Sequence, residues 1–399
     1  MRSYSHPLRW MFLLIGISGA CSCAAEPEPT RTEATGRATS TASTGSAPPG
    51  EPAEPIPTEA FAAISGESVA EETAVEFQAI LDDMAGKFGV TATVMSTEGT
   101  WSGAAGTADG ARPMNAHDQF SIASVTKPII AAQVMQLVEA GELSLDDPAA
   151  NYLPVDLDFN SNGATIRQLL SHHSGIPDWY DDAFKRELAA EPRRAWRLDE
   201  VLKRVQDRRT SAGETFEYAD TNYNLVGLII EQVRGRPLVE ILSDGVLDID
   251  HIPRLIYQPD EAPSEPIAMP YAEPATALEA RGGYLPSLAD ATSAGAGGAV
   301  ASDAPSLAHW WRAFCAGEIV SQRSLTQMAT YQDEYGLGLF EVSDPYHPGG
   351  VGHAGESLGY ASWAGCLPDS GVVIVILSNQ KIDDLGGMAA PLVYAATQD

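Results

Sequence analysis

The chain has 399 residues, with 24 lysines and arginines against 54 aspartates and glutamates, which gives a formal net charge of −30. With 44% hydrophobic and 20% charged residues, most of the chain can bury a core, which excludes a wholly disordered protein. The acidity argues against nucleic acid as a partner and against attraction to an anionic membrane surface, because both require a basic patch. Lysine is so scarce that a lysine inside a chemical motif is informative.

Residues 1–23 have the features of an export signal. Arg2 and Arg9 form a basic start, and residues 10–17 are a short apolar stretch. This stretch is shorter than the roughly 20 residues that a membrane-spanning helix needs. Small residues then precede Cys21, which is the pattern of a bacterial lipoprotein signal with Cys21 as the lipidated residue. Ordinary secretion, with cleavage a few residues further on, is the alternative.

A segment of low complexity follows the signal. Residues 24–60 contain almost only Ala, Glu, Pro, Thr, Ser, Gly and Arg, a composition that cannot bury apolar area. We predict a disordered tether here and place the folded domain at residues 61–399. A tether behind a lipid anchor would hold that domain near a membrane.

The first predicted elements of the folded part are a helix, a β-hairpin and a second helix. Apolar residues at helical spacing predict an amphipathic helix over residues 72–88. Two predicted strands, 90–95 and 100–104, are joined by a tight turn. Residues 124–140 form a helix with one narrow polar stripe, so it should be buried on most sides, and Gly141 ends it.

The middle of the chain, about 145–290, consists mainly of helices and loops. Its helical patterns cover residues 165–173, 198–208 and 223–234. Near the end, two strands are predicted at 359–366 and 372–377, and a terminal helix at 384–397.

Strands that are joined by tight turns must pair antiparallel. We therefore predict an α/β fold in which an antiparallel sheet is flanked by N- and C-terminal helices, with a mostly helical insert at about 145–290. A site in the cleft between the two parts is typical of such an arrangement.

The first chemical motif is a serine and a lysine three residues apart at the start of a helix. Ser124 and Lys127 would lie on one face with adjacent side chains, which suits a serine nucleophile and an amine as its proton partner. Such a lysine accepts a proton only when neutral, so we expect burial and a second cation to lower its pKa. Ser378 and Lys381 share the spacing but leave little chain downstream for partners. A helix cap is the structural alternative for Ser124.

The second motif is Tyr218 and Asp220, just before the helix predicted from residue 223. A phenol can relay a proton, and a carboxylate can orient it or accept from a substrate amide. Residues 180–182 and 331–333 share this spacing, and a helix N-cap is an alternative for Asp220.

The third motif is His353 with Gly355, followed by a strand. A glycine in a strand allows another group to approach the backbone closely. A single histidine is more often structural, so this motif depends on the other two.

The three motifs in this order resemble the signature of the penicillin-recognising serine hydrolases, S-x-x-K, Y-x-[ND] and [KH]-x-G. The resemblance covers roughly residues 70–395. Within the family, the chain resembles the branch of class C β-lactamases, D-alanyl-D-alanine carboxypeptidases and related esterases. Segments outside the motifs also resemble this family: residues 120–123, 165–177, 220–223, 335–339 and 359–360. The resemblance implies the β-lactamase/transpeptidase-like fold.

The resemblance also implies a role for each motif residue. Ser124 would attack a carbonyl and become acylated, and Lys127 and Tyr218 would share its proton, either of them acting as the base. His353 would shuttle protons or steer charge near Tyr218. The backbone N–H groups of Ser124 and Glu356 would form an oxyanion hole.

Three positions depart from the family pattern. Asp220 stands where Asn is usual, and an ionised Asp cannot donate a hydrogen bond to a substrate carbonyl. Phe340 stands where carboxypeptidase relatives can place an Arg that binds the substrate carboxylate, and Glu356 stands where small hydroxyl residues are common. Phe340 and Glu356 favour a neutral ester, amide or lactam over a carboxypeptidase substrate. Arg281 is another cation that could bind a carboxylate.

Other patterns in the chain are weaker. Residues 355–359 match G-x-S-x-G, but no histidine follows Ser357, as the nucleophile elbow of an α/β-hydrolase would require. The glycine-rich residues 295–298 lack a preceding strand, so we expect a flexible segment bordering the cleft rather than a phosphate loop. Trp179 and Tyr180 either line the site or anchor a loop.

We expect no metal and no cofactor. His172, His173 and His347 have no carboxylate at a zincin spacing, and the first two fit the end of a helix. Cys315 and Cys366 could form a disulfide after export or remain buried thiols.

The sequence therefore predicts an exported serine hydrolase, monomeric, acting on a small molecule or a cell-wall peptide, and either anchored in the cell envelope or secreted. A D-alanyl-D-alanine carboxypeptidase is one alternative. The alternative from another class is a penicillin-binding sensor or cell-wall adaptor that is acylated once and does not turn over.

Overall fold

A six-stranded antiparallel sheet joins the two ends of the chain. The computed structural model describes residues 55–86, 88–207, 209–249, 252, 254–264, 266–270, 283–342, 350–382 and 384–398. The export signal, Cys21, most of the predicted tether, Arg281 and His347 lie outside these residues. The strands are β1 (Val90–Ser96), β2 (Gly99–Ala105), β3 (Phe120–Ser121), β4 (Ile256–Tyr257), β5 (Val300–Ser302), β6 (Phe340–Glu341), β7 (Val351–Ser357), β8 (Tyr360–Leu367) and β9 (Val372–Ser378). The large sheet has the order β2-β1-β9-β8-β7-β6, and the small one β3-β5-β4.

Helices cover both faces of the large sheet and fill the middle of the chain. They are α1 (Glu59–Ala62), α2 (Glu71–Ala85), α3 (Thr126–Glu139), α4 (Ile166–Leu170), α5 (Asp182–Ala190), α6 (Leu198–Leu202), α7 (Asp220–Arg234), α8 (Leu238–Ser243), α9 (Leu288–Ala294), α10 (Ala304–Cys315), α11 (Gln322–Met328) and α12 (Leu385–Ala396). Short 3₁₀ turns lie at Ala123–Val125, Ala149–Asn151 and Gly295–Gly297. None of the helices among the described residues combines the length and apolar character that a bilayer crossing requires.

Strand β9 is buried along its whole length because both faces of the sheet are covered. Val373, Val375 and Leu377 share a core with Trp311 of α10. The alternate residues, including Ile374 and Ile376, pack into a second core with α2 and α12. A strand covered on both faces has no polar alternation, which explains the continuous apolar run of its sequence. The predicted fold class is confirmed, with α2 and α12 as the flanking helices.

Helix α3 runs through the main core. Residues 129–132 are fully buried, as are Val134, Met135 and Leu137, and the helix ends before Gly141, which has a φ of 71°. This agrees with the burial predicted from its narrow polar stripe. The head of α3, where Ser124 and Lys127 lie, is thereby held by packing on all sides.

The middle of the chain differs from the prediction at three helix boundaries, and one of them is the end of α4 at Leu170 instead of residue 173. Helix α6 ends at Leu202, well before the predicted residue 208, and the residues that follow are largely polar. Helix α7 begins at Asp220, three residues before the predicted start. The Asp220 N–H donates to Asp178 Oδ1 at 3.1 Å, which satisfies a helix-start donor that the local sequence leaves open.

Two further contacts tie the chain together. Cys315 at the end of α10 and Cys366 in β8 form a disulfide, which decides between the two alternatives for this pair. Ile56, which lies in the range of the predicted tether, donates its N–H to Thr326 Oγ1 at 3.2 Å and accepts from Gln322 Nε2 at 2.8 Å. Residues at this end of the tether range are therefore in contact with α11.

Candidate active site

The candidate nucleophile lies in a strained turn between β3 and α3. Ser124 is the middle residue of the 3₁₀ turn, and Ala123 before it has a φ of 47°, in the left-handed region that costs a non-glycine residue about 1 kcal/mol or more. The Ser362 hydroxyl donates to Ile122 O at 2.7 Å and so holds the entry to the turn. Ser124 is not a helix cap, because Val125 occupies that position and no side chain caps α3.

Lys127 is fully buried and uses all three of its N–H donors. Its Nζ lies 3.0 Å from Ser124 Oγ, 2.5 Å from Asp220 Oδ1 and 2.7 Å from Gly297 O. These acceptors come from the turn before α3, the start of α7 and the 3₁₀ turn after α9. The ammonium group therefore joins three distant segments at one point.

The charge state of Lys127 differs from the expectation. Burial alone lowers the pKa of the Lys127 ammonium, but the Asp220 carboxylate and Tyr218 oppose it, and the pKa ends above its ordinary value. The sequence argument assumed a second cation beside Lys127, whereas the structure places an anion there. Lys127 is therefore protonated at neutral pH.

Tyr218 completes the group around Ser124. Its ring lies 4.9 Å from Lys127 Nζ, and both Lys127 and Ser124 act on the pKa of its hydroxyl. Burial raises the pKa of Tyr218, against the lowering effect of Lys127, so the phenol is neutral. The His172 ring packs on Tyr218 with a centroid separation of 4.1 Å, and His172 Nδ1 accepts from Ala219 N at 3.2 Å. His172 therefore holds the Tyr218 ring in place by packing against it.

Asp220 is the first residue of α7 rather than its cap. The N-cap is Ala219, and the Asp220 side chain points to Lys127 instead of the helix N–H groups. The N-cap interpretation of Asp220 is therefore wrong. An Asp at this position binds Lys127 as an ion pair, which the Asn that is usual in the family could not do.

His353 lies fully buried on β7. Its Nε2 lies 3.1 Å from Tyr335 Oη and its Nδ1 lies 2.6 Å from Ala354 O, so both nitrogens have partners. Burial, with Lys127 nearby, lowers the pKa of His353 to about 3. The ring centroid is 6.4 Å from that of Tyr218 and 4.9 Å from that of Phe340. A neutral His353 packs this aromatic group and does not add a positive charge to it.

Gly355 allows β7 to run directly against the nucleophile turn. A Cβ at this position would lie 2.4 Å from Ile122 O and 3.0 Å from Ser124 N, distances too short for a side chain. The next residue, Glu356, lines the cleft beside Ser124 and forms an ion pair with the exposed Lys381, at 3.2 Å from Oε1 to Nζ. Phe340 is half-buried on β6 beside His353.

These residues open onto a cleft that is rich in carboxyl groups. The cleft is small, with a cavity volume of about 30 Å³, and its lining includes Ser124, Asp220, Asp290 and Glu356 together with Trp179 and Tyr180. A larger cavity, about 520 Å³, lies between α10 and residues 64–66 and contains none of the candidate residues. The candidate nucleophile and its neighbouring carboxyl groups therefore line the smaller cleft.

Tyr180 shows how concentrated the negative charge is. Burial raises the pKa of its hydroxyl far above the ordinary value, and four carboxyl groups add to the effect. They are Asp290, Asp220, Asp178 and Glu356. Burial and the Asp220 charge also raise the pKa of Asp290 to about 7 and that of Asp178 in the same direction.

Sequence reasoning found Ser124, Lys127, Tyr218 and Asp220, and the structure brings these four together. It missed the ring support from His172 and the Gly297 carbonyl, and it gave Asp290 no role. The histidine lies within the segment 165–177 that resembles the family, which was a usable signal. Asp290 lies in no motif, so no signal in the sequence could have found it.

The structure also locates the residues of the weaker sequence patterns. Ser357 ends strand β7 and its hydroxyl contacts Ser121 Oγ, so it is not on a strand–turn–helix elbow. Ser378 is buried in β9 with its hydroxyl on Gly89 O. Among the described side chains, no group of three or more His, Cys, Asp or Glu could hold a metal ion. The glycine-rich residues 295–297 border the cleft as an ordered 3₁₀ turn.

Comparisons with known proteins point to one family. The family model described as Beta-lactamase matches residues 77–398. Esterase EstB of Burkholderia gladioli is 33% identical over 142 residues, which are 33% of this chain and 36% of that protein. The chain thus spans about a third of the length of this curated relative.

Solved structures share the fold at low sequence identity. D-amino acid amidase from Ochrobactrum anthropi SV3, complexed with L-phenylalanine amide, superposes with a TM-score of 0.70 at 24% identity, over 82% of this chain and 97% of that one. A penicillin binding protein from Bacillus halodurans gives 0.67 at 24% identity, over 79% and 98%. These matches show that the chain shares this fold over about four fifths of its length.

Asp290 provides a stability test. Its pKa rises from 3.8 to about 7 on folding, so the folded state holds this proton more tightly. The stabilisation is complete below about pH 4 and is lost as the pH rises to about 7 and beyond. We expect Asp290→Asn to raise the unfolding free energy by about 4 kcal/mol at pH 8 and by only about 1–2 kcal/mol at pH 5. Thermal unfolding at both values measures this, with Asp182→Asn, at an exposed carboxylate, as the control. An equal effect at both pH values would contradict the assignment.

Proposed function

Because the chain belongs to the β-lactamase family of serine hydrolases, we propose that it cleaves an ester, amide or lactam through an acyl-enzyme on Ser124. The observation that carries this proposal is the position of Ser124 Oγ at 3.0 Å from Lys127 Nζ, at the mouth of the cleft. Tyr218 stands beside both side chains. A nucleophile, its proton partners and a place for the substrate thus occur together.

In this proposal, Lys127 and Tyr218 carry the proton of Ser124 to the leaving group. The Lys127 ammonium has no free lone pair, so it takes the Ser124 proton only as it gives one of its own away. Tyr218 is neutral and its ring lies beside Lys127, so in this proposal its hydroxyl donates to the leaving group and is reprotonated by Lys127. Water then reverses the sequence, releasing the acid and restoring the Ser124 hydroxyl. Asp220 holds Lys127 in position throughout.

The oxyanion hole in this proposal consists of the N–H groups of Ser124 and Glu356. Support comes from Gly355, whose missing side chain lets β7 approach Ser124 N. One such donor contributes about 3–4 kcal/mol to transition-state stabilisation in other enzymes. Neutral His353 has a positioning role, through its contact with Tyr335 and the rings beside Tyr218.

We predict that Ser124 is the serine that a fluorophosphonate or a penicillin modifies. Ser124→Ala should abolish hydrolysis of p-nitrophenyl acetate and leave the thermal unfolding curve close to that of the wild type. Peptide mapping after labelling checks the site, and the matched control is Ser378→Ala. A label on Ser357 or Ser378 would overturn the assignment. A burst of one equivalent without steady-state turnover would indicate the sensor alternative.

The substrate that we propose lacks a free carboxylate beside the scissile bond. Phe340 offers no cation, and Glu356 and Asp290 put negative charge on the cleft wall. An anionic substrate would meet repulsion where a carboxypeptidase needs a charge-assisted bond. The partial match to an esterase agrees with this substrate class.

We expect short neutral esters to be hydrolysed at least tenfold better, in kcat/KM, than a D-Ala-D-Ala peptide with a free carboxylate, because the bidentate contact is missing. Phe340→Arg combined with Glu356→Thr should narrow this gap, and Phe340→Leu with Glu356→Gln serves as the control without a new cation. Equal rates on the two substrates in the wild type would favour the carboxypeptidase alternative.

We also propose that the protein is exported and held by a lipid at Cys21, as a monomer on a flexible tether. The Cys315–Cys366 disulfide supports export, because such bonds persist in oxidising compartments. The basic start, the short apolar stretch and the small residues before Cys21 support the lipoprotein signal.

The anchor is tested by expression in a bacterium with labelled palmitate. The wild type should incorporate the label and partition into detergent, whereas Cys21→Ser should do neither and Cys23→Ser should behave as the wild type. A wild-type protein that is exported but never labelled would show simple secretion.

A further inference from the structure

We propose that the cleft binds a protonated amine at Asp290, so that the substrates are small esters or amides with an ammonium group close to the scissile carbonyl. This inference rests on the proposed function, because it names the substrate class of the same site.

The central observation is a buried carboxylate without a partner. Asp290 is 6% exposed and lines the cleft together with Ser124. Its backbone N–H donates to the N-cap Ser287 Oγ, but within the described part of the chain its carboxylate has no hydrogen bond and no ion pair. An unpaired buried charge costs several kcal/mol, so a buried carboxyl group either takes up a proton or binds a cation.

The neighbouring carboxylates are already paired, which sets Asp290 apart. Asp220 binds Lys127 at 2.5 Å, and Glu356 binds Lys381 at 3.2 Å. Asp178 accepts from the N–H of Asp220. Among the described carboxylates that line the cleft, Asp290 is therefore the one that has no ion-pair partner and can bind a ligand.

The surrounding charge favours a cation as that ligand. Four carboxyl groups act together on the Tyr180 hydroxyl and raise its pKa, while Lys127 and Lys381 are each bound to one of the four. Lys185 lies over the Tyr180 ring at 4.8 Å and is paired with Asp182. His353 is neutral. An anion entering the cleft would be repelled, and a neutral group would leave Asp290 uncompensated.

The geometry favours an amine over a metal ion. A metal would require several free ligands, and no described cluster of three could supply them. An ammonium group needs one carboxylate and tolerates the aromatic wall of Trp179 and Tyr180. Because Ser124 and Asp290 line the same small cleft, an amine a few bonds from the carbonyl could reach both, as in an α-amino ester or amide.

The test compares three methyl esters at pH 7 on a pH-stat: alanine methyl ester in each enantiomer, N-acetylalanine methyl ester and methyl propionate. The free amine is largely protonated at this pH. We expect the wild type to prefer the amine to methyl propionate by about tenfold or more in kcat/KM. Asp290→Asn, which keeps the shape, should reduce this ratio about tenfold, and Asp182→Asn should not change it.

The outcomes separate the two proposals. If the wild type shows no preference for the amine, or if Asp290→Asn leaves the ratio unchanged in a folded protein, the ammonium site is wrong while the serine hydrolase stands. If no ester is cleaved and a fluorophosphonate fails to label Ser124, the proposed function itself fails. Asp290→Glu, which keeps the charge, should retain part of the preference if Asp290→Asn loses it, and an equal loss in both variants would also overturn the ammonium site.

Discussion

The site depends on one buried ammonium group. Lys127 lies at the head of a core helix with no solvent access, and its three donors reach Ser124, Asp220 and the Gly297 carbonyl. A buried cation is tolerated only when it is paired and hydrogen-bonded, so the three segments that supply these acceptors must converge for the fold to be stable. The geometry that suits an activated serine is thus also the geometry that satisfies the lysine.

Around this ion pair, aromatic packing controls protonation. The rings of His172, Tyr218, Tyr335 and His353 pack together, and burial keeps both histidines neutral. The positive charge beside this group of rings therefore comes from Lys127. The histidine of the third motif, for which the resemblance implies proton shuttling or charge steering, contacts Tyr335 and packs beside the Tyr218 ring. This is the physical basis for assigning proton transfer to Lys127 and Tyr218.

The cleft beside the Lys127–Asp220 ion pair is lined by carboxyl groups and carries an excess of negative charge. Asp290 is buried without a partner, which lowers the stability of the folded protein at neutral pH, and Glu356 and Asp178 add to the same field. Uncompensated groups of this kind are typical of sites where binding, rather than folding, supplies the missing partner. The same imbalance accounts for the expected discrimination against free carboxylates and for the proposed preference for amines.

The sequence determined what depends on neighbouring residues. Helical spacing placed Ser124 beside Lys127, and local apolar patterns and turns identified four of the six strands of the large sheet, the buried helix α3 and the flanking helices, because these patterns are local. The tertiary structure decided what depends on residues far apart in the chain. The Lys127 pKa rises rather than falls because Asp220, 93 residues away, is an anion at 2.5 Å. The disulfide partner of Cys315 and the exposure of Asp290 to the cleft likewise follow from how distant segments pack, and no local pattern encodes a distance between them.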